Sequence, residues 1–337
     1  MVCDPKPNWI ANEIKGVILV APNGAEVPID PLPVPAYILE RRIFDYDLAR
    51  LAAEQGAEIR TKAYVHDVIH TNGAITGVRV KHLAKSYDIA GRVVIAADGV
   101  ESRVGRFAGL RTFTKLKDME SCLQVTLANL KLDPRYLYIY FGRNVAPGGY
   151  LWVFPKNESV ANVGLGISGE YARHRSAQKY LQEFLDRRFP GAPVLATVAG
   201  GVTCAHTLKQ IVKDGLMLVG DAAHMINPIS GGGIVTAMQA GQIAGRIAAE
   251  AVAKNDVSQR RLESYAQEWH KAEGKTHERL YKIKQAVFHF SDDTLNEIAA
   301  TVLRMKPEDR TILNIFKTAL LRQPSLILEA IKVFVQS

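Results

Sequence analysis

Asp221 follows a short apolar run, Leu216 to Val219, and is itself followed by three consecutive glycines, Gly231, Gly232 and Gly233, then by Ile234 and a stretch of small residues. These residue types in this order suggest binding chemistry. A carboxylate at the end of a strand can accept hydrogen bonds from sugar-type hydroxyls. Glycines allow the unpaired N–H groups of a helix N-terminus to approach a flat ring closely. The elements that must position these groups are a buried strand over 216–219 and a helix that starts just after the glycines.

The positive end of such a helix also has a redox use. Reduced flavin carries negative charge near N1 and O2, and a helix N-terminus directed there stabilises that form. The bland alternative is a strand, a Gly-rich turn and a helix that hold no ligand. The whole segment, LMLVGDAAHMINPISGGGIVTAMQAGQIAG, resembles the ribityl-binding motif of FAD-dependent oxidoreductases of the hydroxylase type.

Composition bounds the rest. The chain has 337 residues, 47% hydrophobic and 23% charged, as expected of a globular protein with one large or two smaller domains. No run is long and charge-free enough to span a bilayer. Thr311 to Val335 comes nearest, but Lys317, Arg322, Pro324, Glu329 and Lys332 divide it into two amphipathic helices. The N-terminus shows no signal peptide, and Cys3, Cys122 and Cys204 lack metal-type spacing, which suits a cytoplasmic, reducing setting without a metal site. The net charge of +8 carries no dense basic block with interleaved aromatics. Nucleic acid is therefore disfavoured, while peripheral contact with an anionic membrane stays open.

Along the chain, residues 16–30 predict a hairpin with a two-residue turn at Asn23-Gly24, and 37–56 a helix with Phe44, Leu48, Leu51 and Ala52 at helical spacing. A strand over 57–69, a second hairpin at Asn72-Gly73 and a buried parallel strand in Val93 to Gly99 follow. The runs 137–141, 150–154 and 159–167 predict an antiparallel sheet, and 176–189 a helix. After Gly245 the chain reads as helical and polar, with Trp269, Tyr281, Phe288 and Phe290 as anchors.

Several of these segments together are similar to the geranylgeranyl reductases, within them to the archaeal type that saturates digeranylgeranylglycerophospholipids. They are YILERRIFDYDLARLAAEQGAEI, VVIAADGVESRVGRFAGL, PGGYLWVFPK, the GDAA segment and the C-terminal helices with PSL at 324–326. The resemblance implies an α/β (mixed α+β) fold: a Rossmann-like FAD-binding domain of the hydroxylase/reductase type, interleaved with an antiparallel-sheet substrate domain and followed by a helical region. The expected segments are 1–110 with 205–255 for FAD, 111–204 for the sheet and 256–337 for the helices.

The resemblance also implies roles. Asp221 would accept from the ribityl hydroxyls, and Gly231, Gly232, Gly233 and Ile234 would present backbone groups to the pyrimidine edge of the ring. Arg41 would reach the phosphate or ribityl region, its plain alternative being a solvated helix-face charge. Val65 would meet the adenine part through its backbone, or be an ordinary strand residue. Asp98 and Gly99 belong to a shared Asp-Gly motif, although Asp98 can equally cap its turn. Tyr150, Trp152 and Phe154 fall on one strand face, by default a core face, and would line an apolar cavity for a prenyl chain. His224 reads as a capping or satisfied histidine more than as a base. No residue is assigned as catalytic, and none persuades as a proton donor.

The sequence departs from the family pattern at one place. These flavoproteins open with a strand, G-x-G-x-x-G and a helix that hold the FAD pyrophosphate, and no such fingerprint occurs here; roughly 55 to 60 residues are absent by comparison, so the FAD domain is expected to be N-terminally incomplete. The implied activity is FAD-dependent saturation of geranylgeranyl C=C bonds, with an unidentified electron donor. The rival expectations are an FAD-dependent aromatic monooxygenase and a non-catalytic prenyl-lipid-binding remnant.

Overall fold

The computed structural model describes residues 4–321 and 323–335. They form two compact units. One comprises Ala57–Lys115 and Thr203–Tyr281; the other comprises residues 4–56, Leu116–Val202 and the described residues from Lys282 onward.

In chain order, the second unit begins with β1 (Ile10–Ile14), β2 (Gly16–Val20), β3 (Glu26–Ile29), β4 (Ala36–Leu39) and helix α1 (Arg41–Glu54). The expected hairpin is present, with Val20 opposite Glu26. Its loop is longer than the two residues predicted, because Ala21 N–H reaches Ala25 O at 2.9 Å and Gly24 takes φ 85°. The helix predicted from Tyr37 starts only at Arg41. Tyr37 and Ile38 are strand residues, paired with Glu13 and Asn12 of β1, so a tertiary partner overrides the local spacing. On α1 the buried residues are Phe44 and Asp47, while Leu51 is exposed. The Asp47 carboxylate accepts from the Trp9 indole N–H at 2.8 Å, and that ring meets Phe44 edge-on.

The first unit continues with β5 (Ala63–Thr71), β6 (Ala74–His82), β7 (Lys85–Ala90), β8 (Val94–Ala96) and the short helix α2 (Arg103–Phe107). β5 begins later than expected. The Asn72-Gly73 turn is the predicted two-residue hairpin, since Thr71 pairs with Ala74 and both turn residues have positive φ. β8 is parallel, as expected, to the later strand β15, but Ile95 is exposed, so only one of its faces is buried.

Then the sheet of the second unit is completed by β9 (Met119–Leu127), β10 (Tyr136–Tyr140), β11 (Tyr150–Pro155), β12 (Ala161–Ser168), helices α3 (Gly169–Ala172) and α4 (Ala177–Arg188), and β13 (Val194–Thr203). Its strand order is β13-β9-β12-β11-β10-β2-β3, seven strands among the described residues. β9, β12, β11 and β10 are successively antiparallel, and β10 joins β2 in parallel. Residues 4–56, expected with the FAD domain, thus supply two strands to this sheet. Leu151, Val153, Val163 and Leu165 pack on one face against Leu181 and Phe184 of α4.

The chain returns to the first unit through β14 (Val212–Lys213), β15 (Leu216–Leu218), α5 (Ile234–Ala253) and α6 (Gln259–Trp269), then enters α7 (Lys275–Val287). β15 is wholly buried, with Ala240, Ala244 and Ile247 of α5 in the same core. Trp269 and Tyr281 are the buried anchors; Phe288 and Phe290 are only half-buried. In the second unit, α8 (Asp292–Leu303) packs on β3 through Val27, Ala299 and Val302. The two predicted amphipathic helices follow as α9 (Ile312–Ala319) and α10 (Pro324–Phe334). No helix among the described residues is long and apolar enough to cross a membrane.

Candidate functional site

In the first unit, the chain leaves β15 extended at Val219 and reverses at Gly220, whose φ of 60° and close approach to Ala237 of α5 favour glycine. A single helical turn, Gly220–Ala223, carries Asp221, and His224 closes it in a left-handed conformation. The next loop is fixed by Asn227, whose side chain accepts from the N–H groups of Ile229 at 3.0 Å and Ser230 at 3.1 Å. Asn227 N–H in turn donates to Gly232 O at 2.9 Å. Gly233 is therefore delivered in place as the N-cap of α5, with no side-chain cap.

A Cβ on Gly233 would lie 3.1 Å from Asp221 Oδ1. The carboxylate and the helix N-terminus thus stand close together, and a side chain at position 233 would crowd the carboxylate. Beside the uncapped N–H groups, Ile234 and Val235 are exposed. Polar donors flanked by bare apolar side chains suit a planar ring with an acceptor edge, and a carboxylate next to them suits hydroxyls. These residues fit the ribityl and ring end of FAD.

The other expected residues are placed as follows. Asp98 Oδ2 accepts from Val104 N–H in the first turn of α2 at 2.9 Å, and makes no side-chain cap to the turn that directly follows it. Gly99 has φ 76° and nothing within reach of a Cβ. The two motif turns are joined, since buried Ser102 donates to Ala222 O at 2.8 Å. Val65 is half-buried on β5, opposite Val80. His224 is buried with Nε2 3.2 Å from Thr114 Oγ1, a satisfied histidine. Arg41 belongs to the other unit, is exposed, and pairs with Asp45 one turn on at 3.1 Å.

In the second unit, Tyr150, Trp152 and Phe154 share one face of β11, as their spacing predicts, but it is not the core face. They are half-buried, while Leu151 and Val153 opposite them are fully buried toward α4. Successive rings contact each other, with centroids 5.9 Å and 6.0 Å apart. Register explains the exposure of the ladder: Tyr150 is opposite Gly166, and Trp152 opposite Gly164. The indole lies over Gly164, where a Cβ would come within 2.6 Å of it. Its N–H crosses that glycine to Gln124 of β9 at 3.0 Å.

The same register reveals residues that sequence reasoning passed over. Glu120, Cys122 and Gln124 lie on the aromatic side, opposite Ser168, Gly166 and Gly164. Glu120 is 5% exposed and neither carboxyl oxygen has a hydrogen-bond partner. Burial, reinforced by Asp118 and opposed by Lys284, raises its pKa from an ordinary 4.5 to about 7. Burial, with some help from Glu120, pushes the Cys122 thiol up to about 12. Polar alternation in ESCLQVT was the available signal.

Turn, glycine-led helix and sheet together define a flavoprotein oxidoreductase. A solved geranylgeranyl bacteriochlorophyll reductase-like protein from Thermoplasma acidophilum matches with TM-score 0.88 at 33% identity, over 98% of this chain and 85% of that one. A flavin-dependent brominase shares the fold alone, with TM-score 0.67 at 19% identity over 97% of this chain and 83% of its own. Residues 118–202, all in the second unit, match the geranylgeranyl reductase catalytic domain. The digeranylgeranylglycerophospholipid reductase of Methanocella arvoryzae is 39% identical over 97% of this chain and 84% of that protein. That of Methanothrix thermoacetophila is 41% identical over 88% and 77%. The chain belongs to the geranylgeranyl reductase family, whose members are FAD-dependent reductases.

Proposed function

We propose that this protein reduces C=C bonds of geranylgeranyl chains carried by glycerophospholipids, using FAD and an electron donor still to be identified. The observation that carries the reading is the ladder of Tyr150, Trp152 and Phe154, turned away from the core inside the family's catalytic segment. Aromatic rings contacting one another along a strand offer an apolar wall to a prenyl chain.

When bound, reduced FAD supplies hydride to one alkene carbon. The chain's own residues do the rest. Asp221 and the N–H groups after Gly233 hold the ribityl and pyrimidine end, with Asp98 and Gly99 shaping the adjoining turn, and Arg41 is assigned to the phosphate or ribityl region. Tyr150, Trp152 and Phe154 orient the alkene and keep water from it. An unactivated alkene has no carbonyl to polarise, so orientation contributes much of the rate. We further assign α9 and α10 to peripheral contact with an anionic bilayer, because Leu321, Leu328 and Val335 are exposed near Lys317 and Lys332.

The test is anaerobic reduction of the protein with FAD and a geranylgeranyl phospholipid. A gain of two hydrogens per double bond is expected. Oxygen-dependent addition of an oxygen atom would establish a monooxygenase instead, and lipid binding with no flavin spectrum a non-catalytic binding protein.

A further inference from the structure

Among the described residues, Glu120 alone is a buried carboxyl group with neither oxygen hydrogen-bonded. An ionised carboxylate in that state would be severely destabilised, so something must neutralise it. The charges that act on it are Lys284 and Asp118, both buried, with Lys284 Nζ 3.5 Å from Asp118 Oδ1. On α3, which also packs on β9, Glu170 and Tyr171 are exposed. One cation thus faces two carboxyls. Burial outweighs the attraction of Lys284, and Glu120, with neither oxygen hydrogen-bonded, holds a proton.

Its position gives that proton a use. Glu120 Oε2 would lie 3.2 Å from a Cβ on Gly149, the residue that immediately precedes Tyr150. The carboxyl therefore stands at the end of the aromatic ladder, on the same face. Cys122, next along that face, is a poor acid because burial holds its thiol at about 12.

We propose that Glu120 is the acid that protonates the alkene, with Asp118 and Lys284 as the neighbouring charges that tune its proton affinity. The assignment rests on the alkene reduction proposed above. In the step, the Glu120 O–H bond breaks and a C–H bond forms at one alkene carbon, using the π electrons. The other carbon would take the hydride, and with it the two electrons, that reduced flavin would supply when bound. The Glu120 carboxylate then regains a proton from solvent.

Glu120→Gln keeps the shape and removes the acid. Turnover is expected to fall by roughly 10²–10⁴-fold with the fold retained by circular dichroism, and Glu120→Asp to recover part of it. Wild-type kcat should decline as pH rises past about 7. An independent readout uses the flavin-free protein: an infrared carboxylic-acid band should titrate near neutral pH and vanish in Glu120→Gln. Wild-type turnover in Glu120→Gln overturns the proposal, as does a band already ionised at pH 5. If the wild-type protein reduces no double bond, the functional reading fails, and the infrared titration still decides whether Glu120 holds its proton. If Glu120→Gln does not fold, Glu120→Asp and the infrared band decide: full activity with no titrating carboxyl overturns it.

Discussion

The two units carry their candidate functional groups in different ways. In the first, Asp221, Gly231 to Gly233 and Ile234 are close in sequence, and a strand, one turn and one helix suffice to bring them together. In the second, Glu120, Gln124, Gly164, Gly166, Tyr150 and Trp152 come from three strands and meet only through lateral register. A local motif places a cofactor by chain connectivity. A sheet face places a substrate by pairing, and a one-residue slip would turn every side chain on that strand to the opposite face. Their buried ionisable groups also differ in sign. Glu120 keeps a proton it would otherwise lose, while His277 of the first unit, desolvated although its Nε2–H donates to Ile226 O at 2.9 Å, has its pKa lowered from 6.5 to about 4.

Breaking the lateral register should give the largest effect. In Gly164→Val the new side chain would meet the Trp152 ring and the Leu123 carbonyl, both under 3 Å from its Cβ. We expect a loss of about 3 kcal/mol or more in urea unfolding and displacement of the indole, seen as a shift in Trp fluorescence. Normal stability would mean that the Gly164–Trp152 packing is not fixed.

Opposite pH dependences sharpen the contrast. Glu120 is protonated in the folded state up to about 7 but releases its proton near 4.5 when unfolded. Its contribution is therefore fully present below about pH 4.5 and is lost as pH rises to 7, by about 3 kcal/mol. His277 is neutral when folded down to about pH 4 but charges near 6.5 when unfolded. Stability is therefore lost as pH falls from about 6.5 to 4, again by about 3 kcal/mol. In unfolding titrations, Glu120→Gln should leave only the histidine's slope and His277→Gln only the glutamate's. Equal slopes in both variants would contradict the assignment.

A smaller effect is expected at Asp221. Asp221→Ala should weaken FAD binding by about 2 kcal/mol, roughly 30-fold, by removing charge-assisted hydrogen bonds, with lipid binding unchanged. Flavin fluorescence titration measures it, and unaltered affinity would remove Asp221 from the ribityl role. The smallest is Arg41→Ala. Its exposed i,i+4 pair with Asp45 is worth under about 0.5 kcal/mol, so any larger change in FAD affinity would support contact with the cofactor.

Much of this was legible in the sequence. Asn72-Gly73 specified its hairpin, Leu216–Leu218 its buried strand, and the alternation in 150–154 its single aromatic face, because each depends on a local period or turn. Tyr37 and Ile38 were misread as helical, because only pairing with residues 12 and 13 makes them a strand. The default core reading of the aromatic ladder failed for a related reason: period two shows that three side chains share a face, not which face is covered.

The sequence by itself determined the flavin-type turn and helix, the family and the chemistry expected of it, since those are written in contiguous residues whose conformations are locally set. Tertiary structure decided which face of the sheet α4 covers, how Trp152 reaches Gln124, and that Glu120 lies buried at the end of the ladder near Asp118 and Lys284. These depend on strand register and on desolvation, which arise only when distant segments pack.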